Sequence, residues 1–199
     1  NTPLASVLRT LFSNACLPPG FATDCRTGEA VRAAFLNCGL FYEARVREAL
    51  RNRAHRSLGE DLKCFLLSQE GKHPVASVRQ MISAALKQLE VQQLQNLQGG
   101  PEGPVAFWLP FGEETVIEGF LKRFQRPQDT EFLVTFRVPF VPSEELLVTL
   151  ACNSRRLEVH FSTGPMAYTM LRKAAHRLEE RLADLGLPGV SVRVSRGVP

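Results

Sequence analysis

The chain has 199 residues, 44% of them hydrophobic and 22% charged, with a formal charge of +4; this is ordinary globular material, long enough for one or two domains and able to bury a core. Its apolar runs fall far short of the ~20 residues of a membrane-crossing helix, so membrane insertion is not expected. No basic-then-apolar leader opens the chain, and it begins on Asn1 rather than Met, so a fragment or processed form is expected.

The positive excess lies in residues 1–100, and residues 101–199 are balanced. It centres on Arg45, Arg47, Arg51, Arg53 and Arg56, interrupted by Glu48. Such a stretch can hold phosphates or another anionic partner, and it also fits a solvated helix face. The five cysteines, Cys16, Cys25, Cys38, Cys64 and Cys152, are odd in number and lack Cys-x-x-Cys spacing. They read as buried free thiols in a reducing compartment, with no metal site expected.

In chain order, Leu4, Val7, Leu8, Leu11 and Phe12 recur with helical period up to Pro18-Pro19-Gly20. A helix is expected from Thr27, as its cap, to Gly39, and another from Leu40 to Leu50. Ser57-Leu58-Gly59-Glu60 spells a capping box before Leu62, Phe65 and Leu66, and Gly71 ends that helix. Pro74 opens the longest helix, Val75 to Gln98, with Val78, Ile82, Ala85 and Leu89 on one stripe. Its second half interleaves Leu94 and Leu97 with Gln88, Gln92, Gln93, Gln95, Asn96 and Gln98. That uncharged amide surface suits contact with a partner or with the rest of the chain.

Residues 99–104 carry three glycines and two prolines and read as a linker. The period then changes to two. A short strand covers Ala106–Leu109 and stops at Pro110, and a longer one runs through Val116, Phe120 and Phe124. Strands follow at Phe132–Val138, Leu146–Leu150 and Leu157–Phe161, joined by short turns as in an antiparallel meander. A helix from about Pro165 to Leu185 presents Leu171, Ala175, Leu178 and Leu182. It is capped by Gly186 and stopped by Pro188 before a last strand at Val190–Val194. The expected fold is α+β: a helical region (1–98), a linker (99–104) and a C-terminal α+β domain (105–199). In that domain a mostly antiparallel sheet is packed by one long C-terminal helix.

Catalytic signatures are missing from this pattern. There is no phosphate-cradling glycine loop, no Gly-x-Ser-x-Gly elbow and no His-Glu-x-x-His. His55, His73, His160 and His176 have no acid or nucleophile partner at usable spacing. The adjacent pairs Glu113-Glu114, Glu144-Glu145 and Glu179-Glu180 diverge on strand or helix and cannot share one proton-transfer site. Phe132 and Phe136 share a row with valines, the pattern of buried residues rather than of an RNA-stacking sheet. The expectation is a protein that is not an enzyme and needs no cofactor or small-molecule substrate.

The C-terminal order of strand, strand, helix and strand resembles the C-terminal domain of flagellar hook-length control proteins. The turn of that family corresponds to Val134-Thr135-Phe136-Arg137-Val138-Pro139-Phe140-Val141-Pro142, followed by Leu146 to Leu150. Arg156 to Phe161 is the second strand, and Leu171 to Gly186 the helix. Upstream, Gly39-Leu40-Phe41-Tyr42-Glu43-Ala44, Asp61-Leu62-Lys63, Val91 to Leu97 and Phe107-Trp108-Leu109-Pro110-Phe111 resemble the family's short motifs in order. The chain departs at Pro142, where the family has glycine, and at Glu144, where it has an apolar residue. The resemblance implies a non-enzymatic role in bacterial flagellum biogenesis: a cytoplasmic protein, exported by the flagellar type III secretion apparatus. It would touch the cytoplasmic domain of an export-gate membrane protein and switch substrate specificity from hook to filament. It assigns Val138, Pro139, Val141, Val148 and Leu150 to the partner-binding switch region. The alternative is a basic nucleic-acid-binding module built on Arg45–Arg56.

Overall fold

The computed structural model describes residues 7, 8, 11, 28–52, 58–100, 102–111, 115–141, 144–187 and 189–197. The expected N-terminal helix falls largely outside these, as do Thr27, Ser57, Gly112–Glu114, Pro142 and Pro188; of it, Val7, Leu8 and Leu11 are helical and buried. The described helices are α1 (Gly28–Leu36), α2 (Tyr42–Asn52), α3 (Leu62–Gln69), α4 (Ala76–Gln98) and α5 (Pro165–Asp184). The strands are β1 (Val105–Phe111), β2 (Thr115–Arg126), β3 (Asp129–Val141), β4 (Glu144–Cys152), β5 (Leu157–Thr163) and β6 (Val190–Arg196), in one sheet of order β1-β2-β3-β4-β5-β6. The α+β class is as the sequence implies.

The chain divides into two compact units, one of residues 1–97 with Phe107–Ile117, the other of Gln98–Ala106 with Glu118–Pro199. In the helical unit, Leu62, Leu66, Ile82, Ala85, Leu86 and Leu89 from α3 and α4 are buried, as are Phe107 and Trp108 of β1. Gly39, at φ +89°, turns the chain between α1 and α2, and a Cβ there would press on Lys63. Two sequence expectations shift here. Helix α3 is capped by Asp61, whose carboxylate accepts from the backbone N–H of Lys63 (2.9 Å) and Cys64 (3.4 Å), while Leu58–Glu60 form a 3₁₀ turn. Strand β1 runs on through Pro110 to Phe111, because an edge strand tolerates a residue without an N–H.

In the sheet unit, β2 to β5 pair antiparallel through short turns. Helix α5 then carries the chain back over the sheet, so β6 pairs parallel to β5, the pairing a helical crossover demands. Its stripe of Leu171, Ala175, Leu178 and Leu182 lies half-buried, Ala167 is fully buried, and Leu146, Val148 and Val159 are buried on strands that α5 packs against. The Arg196 guanidinium over the Tyr168 ring, at 4.6 Å, fastens the first turns of α5 to β6. Gly186 ends the helix at φ +78°, as its position implies. Phe132, placed by pattern in the core row, is 41% exposed. Helix α5 packs on β4, β5 and β6, and alternation along β3 does not set how far each residue of that row is covered.

Candidate functional site

Three arrangements concentrate polar chemistry. The first is in the helical unit and grows from the turn at Gly39. Asp61 is fully buried, and its carboxylate accepts from Arg45 Nη1 at 3.1 Å as well as from the two backbone N–H groups of α3. The same Arg45 nitrogen donates to Asn37 Oδ1 at 2.6 Å and to the Leu36 carbonyl at 3.2 Å. Beside it, the buried Lys63 ammonium donates to Glu43 and, at 2.8 Å, to Gln93 Oε1. The Gln93 amide in turn donates to the Gly39 and Leu40 carbonyls (3.0 and 3.2 Å) and to Glu43 Oε2 (2.6 Å).

Both buried charges, Asp61 and Lys63, meet charged and polar partners, and that is what lets them sit inside a small core. Burial pushes the Asp61 carboxyl up to about 6, against the pull of the backbone donors and Arg45. For Glu43, partial burial is outweighed by the hydrogen bonds from Lys63 and Gln93, and its carboxyl is held below the ordinary value. Burial also pushes the Cys38 thiol up to about 12, so it is not a thiolate nucleophile at neutral pH. The cluster is a structural latch joining α1, α2, α3 and α4.

This settles where the basic stretch goes. Arg45 is turned inward onto Asp61, Arg47 and Arg51 are exposed, and Arg53 and Arg56 lie outside the described residues. Gln93, expected on an amide surface, is the latch's central donor, while Leu94 and Leu97 beside it are exposed. The latch was hidden in the sequence because its members are spread over residues 37–93. The one local signal was an aspartate directly before an apolar helical run.

The second arrangement is the turn that the resemblance assigns to partner contact. Val138 is half-buried on β3, Val148 is buried and Leu150 half-buried on β4. Pro139 and Val141 stand at an irregularity, where Pro139 pairs with Glu145 and Val141 with Glu144. Exposed Phe140 lies between them. Glu144 then does something its sequence position did not suggest. Its carboxylate accepts from the backbone N–H groups of Met166 (3.1 Å) and Ala167 (3.0 Å), the free donors at the start of α5. Gly164, the N-cap, has no side chain to do this, and a Cβ there would lie 2.5 Å from the Glu144 carboxylate. The residue that departs from the family pattern is therefore the helix cap, supplied from a strand.

The third arrangement is a sheet face. The pairings align Phe120, Thr135, Thr149, His160 and Arg193 in one row across five strands. His160 Nε2 lies 2.9 Å from Ser195 Oγ, which is 2.9 Å from Ser162 Oγ. The parallel β5–β6 register that creates this pair could not be read from spacing. No carboxylate among the described residues orients the imidazole, and His160 is exposed. His176 likewise has a partner, Glu180 at 3.3 Å one helical turn on, at the surface. At the end of β2 a surface groove of about 370 Å³ is lined by Glu102, Lys122, Arg123, Phe124 and Gln125, with the Lys122 ammonium 4.8 Å from the Phe124 ring centre. Among the described residues no cluster of His, Cys, Asp or Glu could hold a metal ion, and no helix is long and apolar enough to cross a membrane. Compared with known proteins, the chain matches no family model, no curated sequence and no solved structure.

Proposed function

We propose that the chain is a non-enzymatic interaction module that switches type III export from hook to filament substrates by contacting the cytoplasmic domain of the export gate, and that it is itself exported from the cytoplasm. The observation that carries this reading is a convergence. Gly39 and Glu43, Asp61 and Lys63, and Gln93 belong to three separate short motifs of the hook-length control resemblance. They meet in one hydrogen-bonded latch, as parts of one family fold would. The strand order from β3 to β6, with α5 as crossover, supports it further.

The test is binding of the full chain to a purified export-gate cytoplasmic domain in the presence of nuclease, followed by a secretion assay for hook and filament substrates. A nuclease-insensitive complex, and loss of filament-substrate export without the chain, are expected. Recovery of nucleic acid alone, or unchanged export, would overturn the reading.

A further inference from the structure

Helix α5 carries a second stripe that no part of the fold uses among the described residues. Met166, Met170, Lys173, Arg177 and Arg181 follow one another at spacings of four, three, four and four residues, which places them along one side of a helix. All five are exposed, Met166 by 65% and Met170 by 60%, while the opposite stripe of Leu171, Leu178 and Leu182 is turned into the unit. None of the three cations has a carboxylate partner among the described residues; Glu180 is engaged by His176.

The stripe is costly to the helix that bears it. Lys173–Arg177 and Arg177–Arg181 are like-charge pairs one turn apart, which destabilise a helix. From Pro165 to Leu178 the helix holds Arg172, Lys173 and Arg177 and no carboxylate, whereas Glu179, Glu180 and Asp184 join Arg181 at its C-terminal end. That order opposes the macrodipole, which favours anions first and cations last. The helix's own stability therefore does not favour Lys173 and Arg177 at these positions, and an outside partner would account for them.

We propose that this stripe docks an acidic amphipathic helix of a partner protein, its apolar end on Met166 and Met170 and its carboxylates along Lys173, Arg177 and Arg181. The inference rests on the reading of the chain as an interaction module and names the surface and the chemistry it takes. Methionine side chains adapt to the apolar end, and the row of cations fixes register and direction. A lipid surface fits less well: an interfacial helix needs an apolar face along its whole length, and here the long apolar face is already packed on the sheet. Single-stranded nucleic acid would want aromatic rings among the cations, and the stripe has none.

The probe is a synthetic helical peptide with two leucines four residues apart, followed by three glutamates at the matching spacing, titrated onto the full chain by fluorescence anisotropy. Methyl resonances of Met166 and Met170 should shift on binding. The triple variant K173E/R177E/R181E should weaken binding roughly tenfold or more and gain affinity for the lysine version of the peptide. It keeps the like-charge pattern, so an unchanged melting curve separates lost contact from lost folding. Met166→Gln with Met170→Gln should weaken binding without inverting the charge preference. Equal binding to wild type and triple variant would overturn the proposal, as would stripe-dependent binding of acidic vesicles or an oligonucleotide in place of the peptide. If the export-gate domain binds wild type and triple variant alike, this surface is wrong and the functional reading stands. If the peptide binds through the stripe and the gate domain binds neither form, the surface stands and the functional reading fails.

Discussion

Removing the Glu144 carboxylate tests how the sheet unit is held together. Glu144 supplies both acceptor oxygens to the first turn of α5, at 3.1 and 3.0 Å, and Gly164 offers no substitute. Losing a side-chain cap costs typically ~1 kcal/mol, and a negative charge at a helix N-terminus contributes a further 0.3–1 kcal/mol, approximately. The two effects overlap, so Glu144→Ala should destabilise by about 1.5 kcal/mol. Glu144→Gln, which keeps an acceptor and loses the charge, should cost about half as much. At ~4–8 °C per kcal/mol for a domain of this size, the alanine variant should melt roughly 6–12 °C lower. Amide exchange at Met166 and Ala167 should accelerate about tenfold, following the same free energy through local opening.

Gly164→Ala provides the complementary perturbation, because its Cβ would displace the carboxylate. It should cost about as much as Glu144→Ala in the wild type and little in the Glu144→Ala background. That non-additivity marks two residues acting through one contact. If Glu144→Ala leaves both the melting temperature and these amide rates unchanged, the cap contributes nothing and the reasoning is wrong.

Three further outcomes follow from the buried polar groups. The Asp61 carboxyl should titrate near 6 by carbon NMR. A folded value raised above the unfolded ~3.9 means the native state holds its proton longer, so Asp61's contribution to stability falls as pH rises from about 4 to 6; a midpoint below 4 would refute this. Cys38 should resist alkylation by iodoacetamide in the native protein at pH 8 and react after denaturation, as mass spectrometry would read; rapid native labelling would contradict its burial. Thr163 Oγ1 is buried without a hydrogen-bond partner among the described residues, so Thr163→Val should be neutral or stabilising by up to about 1 kcal/mol in urea denaturation, and a clear loss would reveal a partner.

The strands and helices of the sheet unit were legible because local pattern and tertiary role agree there. Val159 alternates with Glu158 and His160 and is buried, and Gly186 sits where a left-handed cap is needed. What escaped were relations between distant residues. The Glu144–α5 contact spans over twenty residues and the His160–Ser195 pair thirty-five, the latter set by a parallel register that only the crossover fixes. Phe132 was misplaced because alternation tells which side of a strand a residue faces, and not how far that side is covered at each position. Arg45 looked like surface charge because its neighbours are basic; a single buried aspartate sixteen positions on draws it inward.

The division of contacts has a practical meaning for dissecting the chain. Residues 98–106 belong with the sheet unit, yet Phe107–Ile117 belong with the helices. The polypeptide thus passes from one unit to the other at 97/98, at 106/107 and again at 117/118. A cut in the Gly-Pro segment would not yield two self-sufficient pieces. The first fragment would lose the buried Phe107, Trp108, Val116 and Ile117, including the ring that meets Phe35 edge-on at 5.6 Å. Separate expression of the two halves is therefore expected to give an insoluble N-terminal piece.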